Sequence, residues 1–379
     1  MKIISKQPEF TFDDVLLLPG KSDFSINEES KHVNLKTKIS KHIELDLPVI
    51  SSPMPGVTED EMAITIGKMG GIGFIHHFQD GNRQLAQVKK AKKQNIKIAA
   101  CVSDLDDNLD YKLKKLVSAG VDLISLETAH AYNTKTLSII RKIKKKYPKV
   151  DLSVALIVTP EAAKAVIEAG ADSIRVGIGG GSHCTTRLVT GVGRPQLSAL
   201  LACSKMAHKY NIPVISDTGI KYPGDIAKAI AFGADSVMIG GMFTATKEAP
   251  GEIINKNGKK YKMTWGMCTD TAMQQKQFLT IAFKNPKAFW SSLKHPKTFA
   301  KQLLHYALDK KEKQNKLFEE GVERMLPYKG SVYPIIENLK NGLMRSMWYI
   351  GAHNLDEIRK KSQVVLTSNE TALENIPRI

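Results

Sequence analysis

The residues best suited to chemistry lie in the stretch 176–196, where a strand-like run leads into a glycine-rich loop with a cysteine. Glycines at 177 and 179–181 allow backbone N–H groups to turn toward an anion. Cys184 follows between polar neighbours, with Arg187 behind it. A polar loop bordered by a cation favours the thiolate, so the stretch predicts a nucleophilic cysteine beside a phosphate cradle. A flexible connector with an unreactive cysteine is the alternative.

These residues need a scaffold, and the hydrophobic pattern predicts one. Short apolar runs alternate with amphipathic stretches of helical length, which is typical of an α/β fold of the (β/α)₈ TIM barrel type. The predicted strands are Leu47–Pro53, Gly71–Ile75, Ile96–Val102, Asp122–Glu127, Asp151–Val158, Asp172–Gly177, Ile212–Asp217 and Asp235–Gly240. The predicted helices include Glu59–Lys68, Asn108–Ala119, Thr134–Tyr147, Pro160–Ala169, Gln196–Tyr210 and Pro223–Ala231. A doubly wound open sheet is the alternative.

One short pattern recurs where a helix gives way to the next strand. Three segments, 119–122, 169–172 and 232–235, read Ala-Gly-Val-Asp, Ala-Gly-Ala-Asp and Phe-Gly-Ala-Asp. Glycine suits the residue after a helix, because that residue often takes a left-handed conformation. The pattern therefore predicts the same helix-end and strand-start device at three places.

Polar and glycine-rich residues gather where the predicted strands end. They are Ser51-Ser52, His76-His77, Glu127–His130, the Cys184 loop, Asp217–Gly219 and Gly240-Gly241. In a TIM barrel the carboxyl ends of the strands form the catalytic face, and the last two commonly hold a phosphate. This placement predicts an enzyme.

The remainder of the chain predicts additions to a single barrel. We expect one catalytic domain over residues 1–379, with a β-hairpin over Glu252–Gly266 that turns at Asn257-Gly258. A Lys-rich segment at about 268–318 has helical patches and no strand pattern, and it predicts a flap or lid insertion. A final amphipathic helix is expected over Ser331–Tyr349.

Composition limits the compartment and the partners. The sequence contains no run of 18 apolar residues, so we expect no membrane span, and its first residues lack the apolar h-region of a secretory signal. The four cysteines have unrelated spacings, so we expect a reducing cytoplasm and a free Cys184 thiol. The formal net charge is +17, but the lysines are scattered over amphipathic helices, which favours a solvated surface over nucleic-acid binding.

Several motifs together resemble the IMP dehydrogenase/GMP reductase family over nearly the whole chain. They are the Cys184 loop, Phe12–Pro19, Gly70–His76, Pro223–Ala229 and Tyr328–Gly330. The resemblance implies a TIM barrel, usually assembled as a homotetramer, that acts at C2 of a purine nucleoside monophosphate with a nicotinamide cofactor. Hydride transfer at C2 needs a tetrahedral adduct, which a thiolate provides.

The resemblance also implies roles for individual residues. It makes Cys184 the nucleophile, with Thr186 and Glu320 as the proton-transferring pair. Substrate-binding positions are Ser182, Gly219, Gly240 and Gly241 for the phosphate, Asp217 for the ribose diol, and Ser52, Met54, Gly266 and Met267 for the base. Cofactor-binding positions are Glu127, Thr128, Ala129 and Gly177, for NADPH or NAD(H). Gly179, Gly181 and the carbonyl of Cys184 match a monovalent-cation site, usually for K⁺.

The sequence departs from the family pattern at several positions. Pro55 stands where an aspartate is expected, Leu156 where an asparagine is, and Thr264 where a phosphate-binding tyrosine is. The usual Asp-Gly-Gly has become Asp217-Thr218-Gly219, and no regulatory tandem domain interrupts the barrel pattern. The phosphate and nucleophile positions match the family better than the base and cofactor positions do.

One absence bears on the direction of the reaction. In this family the dehydrogenases carry an arginine on the flap that helps to activate water, yet residues 195–323 contain no arginine. Lysine lacks the planar fork of a guanidinium. We therefore predict a GMP reductase, which converts GMP and NAD(P)H to IMP and ammonia. An IMP dehydrogenase is the alternative, and a nucleotide-binding pseudoenzyme is a further one.

Overall fold

The computed structural model describes residues 4, 8–106, 108–182, 184–265, 323–368 and 371. Its strands are β1 Val15–Leu17, β2 Thr37–Ser40, β3 Ile43–Leu45, β4 Val49–Ser51, β5 Ile72–Ile75, β6 Ile98–Ser103, β7 Leu123–Glu127, β8 Asp151–Ile157, β9 Ser173–Val176, β10 Val214–Asp217, β11 Ser236–Ile239, β12 Ile253–Lys256, β13 Lys259–Trp265, β14 Glu323–Pro327 and β15 Val364–Leu366. Its α-helices are α1 Glu29–His32, α2 Asp60–Lys68, α3 Gly81–Lys92, α4 Leu109–Ser118, α5 Thr134–Lys146, α6 Pro160–Glu168, α7 Thr186–Thr190, α8 Gln196–Ala207, α9 Pro223–Ala231, α10 Tyr333–Ile350 and α11 Leu355–Lys361, with 3₁₀ turns at Phe12–Asp14 and His208–Tyr210.

Eight parallel strands close into a barrel in the order β10-β11-β4-β5-β6-β7-β8-β9. Seven of the eight apolar runs predicted as strands each contain one of these strands, and β6 extends one residue beyond its predicted run, to Ser103. Helices follow the strands on the outside. The TIM-barrel prediction is confirmed, and the open-sheet alternative is wrong because β9 and β10 pair and leave no edge. Helix α3 was not among the helices predicted.

The recurring helix-end pattern has a physical explanation in the structure. Gly170 has φ +115 at the end of α6, and Asp172 then accepts the backbone N–H of Leu152 at 2.9 Å. The other two copies behave alike: Gly120 and Gly233 have positive φ, and Asp122 and Asp235 accept the N–H groups of Ile98 and Val214. Each aspartate thus anchors the start of the preceding strand in the barrel.

The amino-terminal end of the barrel is closed by a hairpin. Strands β2 and β3 pair antiparallel, and Ile39, Ile43 and Leu45 join the apolar cluster that fills the barrel interior, with Phe74 and Ile215 among its members. Because this end is plugged by apolar side chains, ligands have access from the carboxyl ends of the strands.

A second sheet stands beside the barrel. The predicted hairpin forms from β12 and β13, with Asn257 and Gly258 at φ +51 and +73, the conformation of a tight hairpin turn. Strand β14 adds to β13 antiparallel. The predicted flap at about 268–318 lies outside the described residues, and the single-domain boundary remains a prediction.

The C-terminal strand β15 packs beside the N-terminal strand β1. The predicted final helix is present as α10, and β15 pairs antiparallel with β1, a contact that the sequence did not indicate. In the part of the chain that is described, no helix is long and apolar enough to cross a membrane.

Candidate active site

The predicted nucleophile lies in the loop that follows β9, beside a hydroxyl group. The Sγ of Cys184 is 3.1 Å from the Oγ1 of Thr186, the first residue of α7. The backbone N–H of Cys184 donates to the carbonyl of Gly181 at 3.1 Å, which closes a tight turn before the cysteine. The thiol is half-buried. A hydroxyl at this distance can stabilise a thiolate or exchange a proton with it.

Arg187 holds the cysteine loop in shape. Its Nε donates to the carbonyl of Ile178 at 2.8 Å and its Nη2 to that of Arg194 at 2.5 Å. Burial lowers the pKa of the Arg187 guanidinium, and the charge on Cys184 opposes that shift, which agrees with a cation near the thiol. At Gly179, with φ +72, a Cβ would stand 2.6 Å from the Cγ of Arg187, so the loop needs glycine there.

The predicted phosphate positions converge at the end of β11. A Cβ on Gly241 would stand 2.8 Å from the Oγ of Ser182, and one on Gly240 would stand 3.2 Å from the Sδ of Met54 and 3.5 Å from the Cβ of Ser52. The cysteine loop, the end of β4 and the end of β11 therefore meet in one place. Because both residues are glycines, no side chain fills the space between these elements, and the backbone there can approach an anion closely.

Gly219 and its neighbour show how the departure at 218 is accommodated. Gly219 has φ +92, and a Cβ there would stand 2.8 Å from the ring of Phe12. Thr218, where the family resemblance expects glycine, has φ +123, a conformation that β-branched residues rarely take. Thr218 therefore carries local backbone strain.

A buried ionic network lies beneath these loops. Arg175 of β9 donates from Nε (2.9 Å) and Nη2 (2.5 Å) to one oxygen of Asp217, and from Nη1 to Glu127 and to Ser125. Burial opposes the charge of Arg175, but the carboxylates of Asp217 and Glu127 outweigh it and raise the pKa of the guanidinium above its ordinary value. Sequence reasoning missed Arg175. The available signal was a charged residue inside an apolar run.

This network changes the interpretation of the predicted cofactor positions. Glu127 is buried against Arg175, and Gly177 lies in the barrel wall, where a Cβ would collide with the carbonyl of Asp217. Thr128 and Ala129, in contrast, reach the rim of the catalytic face. Thr128 donates to Asp104 at 2.8 Å. The structure thus separates the four residues into two at the rim and two within the barrel.

Three further positions that depart from the family pattern are all described, whereas three of the predicted site residues are not. Pro55 is buried, Leu156 is half-buried in β8, and Thr264 is buried in β13, where its hydroxyl donates to the carbonyl of Arg324 at 3.2 Å. Gly266, Met267 and Glu320 lie outside the described residues. Within the described ranges, no group of three or more His, Cys, Asp or Glu side chains is placed to hold a metal ion.

Comparison with known proteins identifies a family for this chain. Residues 9–378 match the IMP dehydrogenase / GMP reductase domain family. The inosine-5'-monophosphate dehydrogenases of Borreliella burgdorferi and Cryptosporidium parvum are each 36% identical, covering 97% and 94% of this chain and 96% and 91% of their own. That of Methanocaldococcus jannaschii is 30% identical, with 99% and 96% covered. The alignment with the Methanocaldococcus jannaschii protein spans 500 positions, whereas those with the first two span 417 and 395. Since each alignment covers more than 90% of the relative, the first two relatives are shorter proteins, closer in length to this chain.

Proposed function

This chain belongs to the IMP dehydrogenase / GMP reductase family, and from that premise we propose that it is an oxidoreductase that converts IMP, NAD and water to XMP, NADH and a proton. The contact between Cys184 and Thr186, beside a cradle of open glycines, is the observation that carries the proposal. Such a site can hold a nucleotide and attack it covalently, which both branches of the family require.

The relatives favour the dehydrogenase branch. The three described above carry the name inosine-5'-monophosphate dehydrogenase, so the comparisons do not support our prediction of a GMP reductase. The absence of arginine in residues 195–323 still stands, and it keeps GMP reduction as the second candidate function. A nucleotide-binding pseudoenzyme would retain the cradle without turnover.

The residues divide the chemistry between them. Ser182, Gly240 and Gly241 bind the phosphate, and the Asp217 oxygen that Arg175 leaves unused accepts the ribose diol. The Cys184 thiolate adds to C2 of the purine, and NAD, when bound, accepts the hydride that leaves this carbon. Water then attacks C2 and releases the cysteine, with Thr186 as the group that passes on the proton.

The carboxyl ends of β6 and β7 offer groups that fit a nicotinamide nucleotide: Asp104 follows β6, and Thr128 follows β7. Thr128 and Asp104 present a hydroxyl and a carboxylate on the catalytic face, and such groups recognise ribose hydroxyls. A carboxylate there disfavours the additional phosphate of NADP, so we propose NAD as the cofactor. We also propose K⁺ at the carbonyls of Gly179, Gly181 and Cys184, a homotetramer, and a proton-transfer role for Glu320.

A trapping experiment tests the covalent step. Without a flap arginine, hydrolysis of the thioimidate should be slow, so IMP plus NAD should give a burst of about one NADH per subunit. After an acid quench, mass spectrometry should show the nucleotide attached to the peptide that contains Cys184. Neither a burst nor an adduct during measurable turnover would contradict covalent catalysis at this residue.

A further inference from the structure

Lys329 reaches the phosphate cradle from a part of the chain that the motifs did not connect with it. Its Nζ donates to the carbonyl oxygens of Gly241 and Met242, at 3.0 and 3.1 Å. Gly241 belongs to the predicted phosphate site, where a Cβ on it would stand 2.8 Å from the Oγ of Ser182. The ammonium group is therefore attached to the same turn of backbone that would hold the anion.

Backbone hydrogen bonds fix the position of Lys329. Its own N–H donates to the carbonyl of Ala245 at 2.9 Å, and the N–H of Lys247 donates to the carbonyl of Gly330 at 2.7 Å. On the other side, Tyr328 donates its N–H to Lys260 of β13 at 2.9 Å. The lysine thus stands on a segment that is tied to the loop after β11 and to the second sheet, so little ordering remains to be done on binding.

In the described part of the chain, the charge of Lys329 has no acidic counterpart. Among the described residues, no carboxylate lies within ion-pair distance of its Nζ. The residue as a whole is exposed, and partial burial of the ammonium lowers its pKa with no acidic side chain to oppose the shift. Lys262 of β13 offers a contrast, because it contacts the same loop after β11. It also donates to loop carbonyls, at Lys247 and Ala249, but Glu248 and Glu61 partly offset the burial that lowers its pKa.

An ammonium that is held by carbonyl dipoles, with no described carboxylate beside it, retains its positive charge for an anion that binds at the same turn. We propose that Lys329 is the counter-charge of the phosphate site, acting across the Gly241–Met242 turn on the phosphate monoester of the nucleotide. This rests on the proposed function for the identity of the nucleotide, and it extends that function by assigning the positive charge that the glycine cradle lacks. Lys329 acts through the loop, as a positioning and electrostatic residue.

The test compares ligands with and without a phosphate. Dissociation constants for IMP, GMP, AMP and their nucleosides are measured by calorimetry on the full-length protein, for wild type, Lys329→Gln and Lys329→Arg. Lys256→Gln, on exposed β12, removes one charge of the same sign away from the loop and serves as the matched control. Thermal melting establishes that each variant is folded.

We expect Lys329→Gln to weaken binding of the tightest monophosphate about tenfold and to change nucleoside binding less than twofold, because only the monophosphate meets the lost charge. Lys329→Arg should restore most of the affinity, and Lys256→Gln should change nothing beyond twofold. Equal weakening of monophosphate and nucleoside, or no change in Lys329→Gln, would overturn the proposal.

The result also separates this proposal from the proposed function. If monophosphates bind with the expected dependence on Lys329 but IMP and NAD give no NADH, the counter-charge stands and the dehydrogenase assignment falls. If IMP and NAD give NADH while Lys329→Gln binds IMP like wild type, the dehydrogenase stands and the counter-charge falls. If no monophosphate binds the wild-type protein, both are wrong.

Discussion

The two sides of the candidate active site are built on different principles. On the phosphate side, Gly240 and Gly241 approach Met54 and Ser182 so closely that a single methyl group would disturb the contact. On the other side, which lies beneath the loops, long charged side chains meet in the barrel interior, where Arg175 joins carboxylates from β7 and β10. The first side depends on the absence of side chains, and the second depends on their charge.

This difference predicts different responses to mutation. Replacing a charged residue beneath the site should affect the stability of the whole barrel, because a buried charge left without its partner is costly. Changes at the phosphate and nucleophile side should mainly affect ligand binding or turnover, with smaller effects on stability. The following predictions test that division, from the largest expected effect to the smallest.

Cys184→Ala should lower kcat by at least about a thousandfold, because no other described group is placed to form the covalent adduct. IMP affinity should stay within a few-fold of wild type. Cys203→Ala is the control, since burial raises the pKa of that thiol to about 12 and keeps it unreactive. Steady-state rates with calorimetric affinities make the comparison, and a Cys184→Ala protein with near-normal turnover would disprove the role of the thiol.

Arg175→Leu should reduce the free energy of unfolding by about 3–5 kcal/mol, because two carboxylates remain buried without their cation. Glu127→Gln should cost less, since the ion pair between Arg175 and Asp217 remains. Urea unfolding followed by circular dichroism measures both. Wild-type stability in Arg175→Leu would mean that the network contributes nothing to the barrel.

Removal of the phosphate from the ligand should weaken binding about a hundredfold, because the nucleoside cannot make the phosphate contacts proposed for Ser182, Gly240 and Gly241. Competition of inosine and IMP for the same site measures the ratio. Equal affinities would show that the glycines at the end of β11 serve packing alone.

Thr218→Gly should stabilise the protein by about 1 kcal/mol, since φ +123 is strained for threonine and readily adopted by glycine. Gly219→Ala is the matched opposite, because φ +92 and the nearby ring of Phe12 both disfavour a Cβ. Differential scanning calorimetry should therefore show a higher melting temperature for Thr218→Gly and a lower one for Gly219→Ala, each compared with wild type. A decrease in both would show that Thr218 makes contacts worth more than its strain.

The same contrast explains what the sequence could predict. Glycines and the alternation of apolar runs are local features, so the eight strands and the hairpin turn at Asn257-Gly258 could be inferred before the structure was known. Their positions in a TIM barrel follow from its connectivity. The phosphate cradle at Gly240-Gly241 remains a prediction.

Long side chains are different, because their partners are far away in the sequence. Arg175 meets residues 48 and 42 positions away, and Lys329 bonds to a carbonyl 88 positions away, so neither contact could be read from local spacing. For the same reason Glu127, predicted to contact the cofactor, proved to be bound to Arg175. Residue spacing also does not decide between the two reactions of the family. The absence of arginine in residues 195–323 favours GMP reduction, whereas the named relatives favour IMP oxidation.

The most direct test of the central claim follows absorbance at 340 nm in two reactions of the purified protein. IMP with NAD should produce NADH and XMP, in a burst followed by slow turnover, while GMP with NADH or NADPH should show no steady oxidation. Steady consumption of NADH or NADPH that depends on GMP, with no NADH formed from IMP, would contradict the dehydrogenase assignment and restore the reductase.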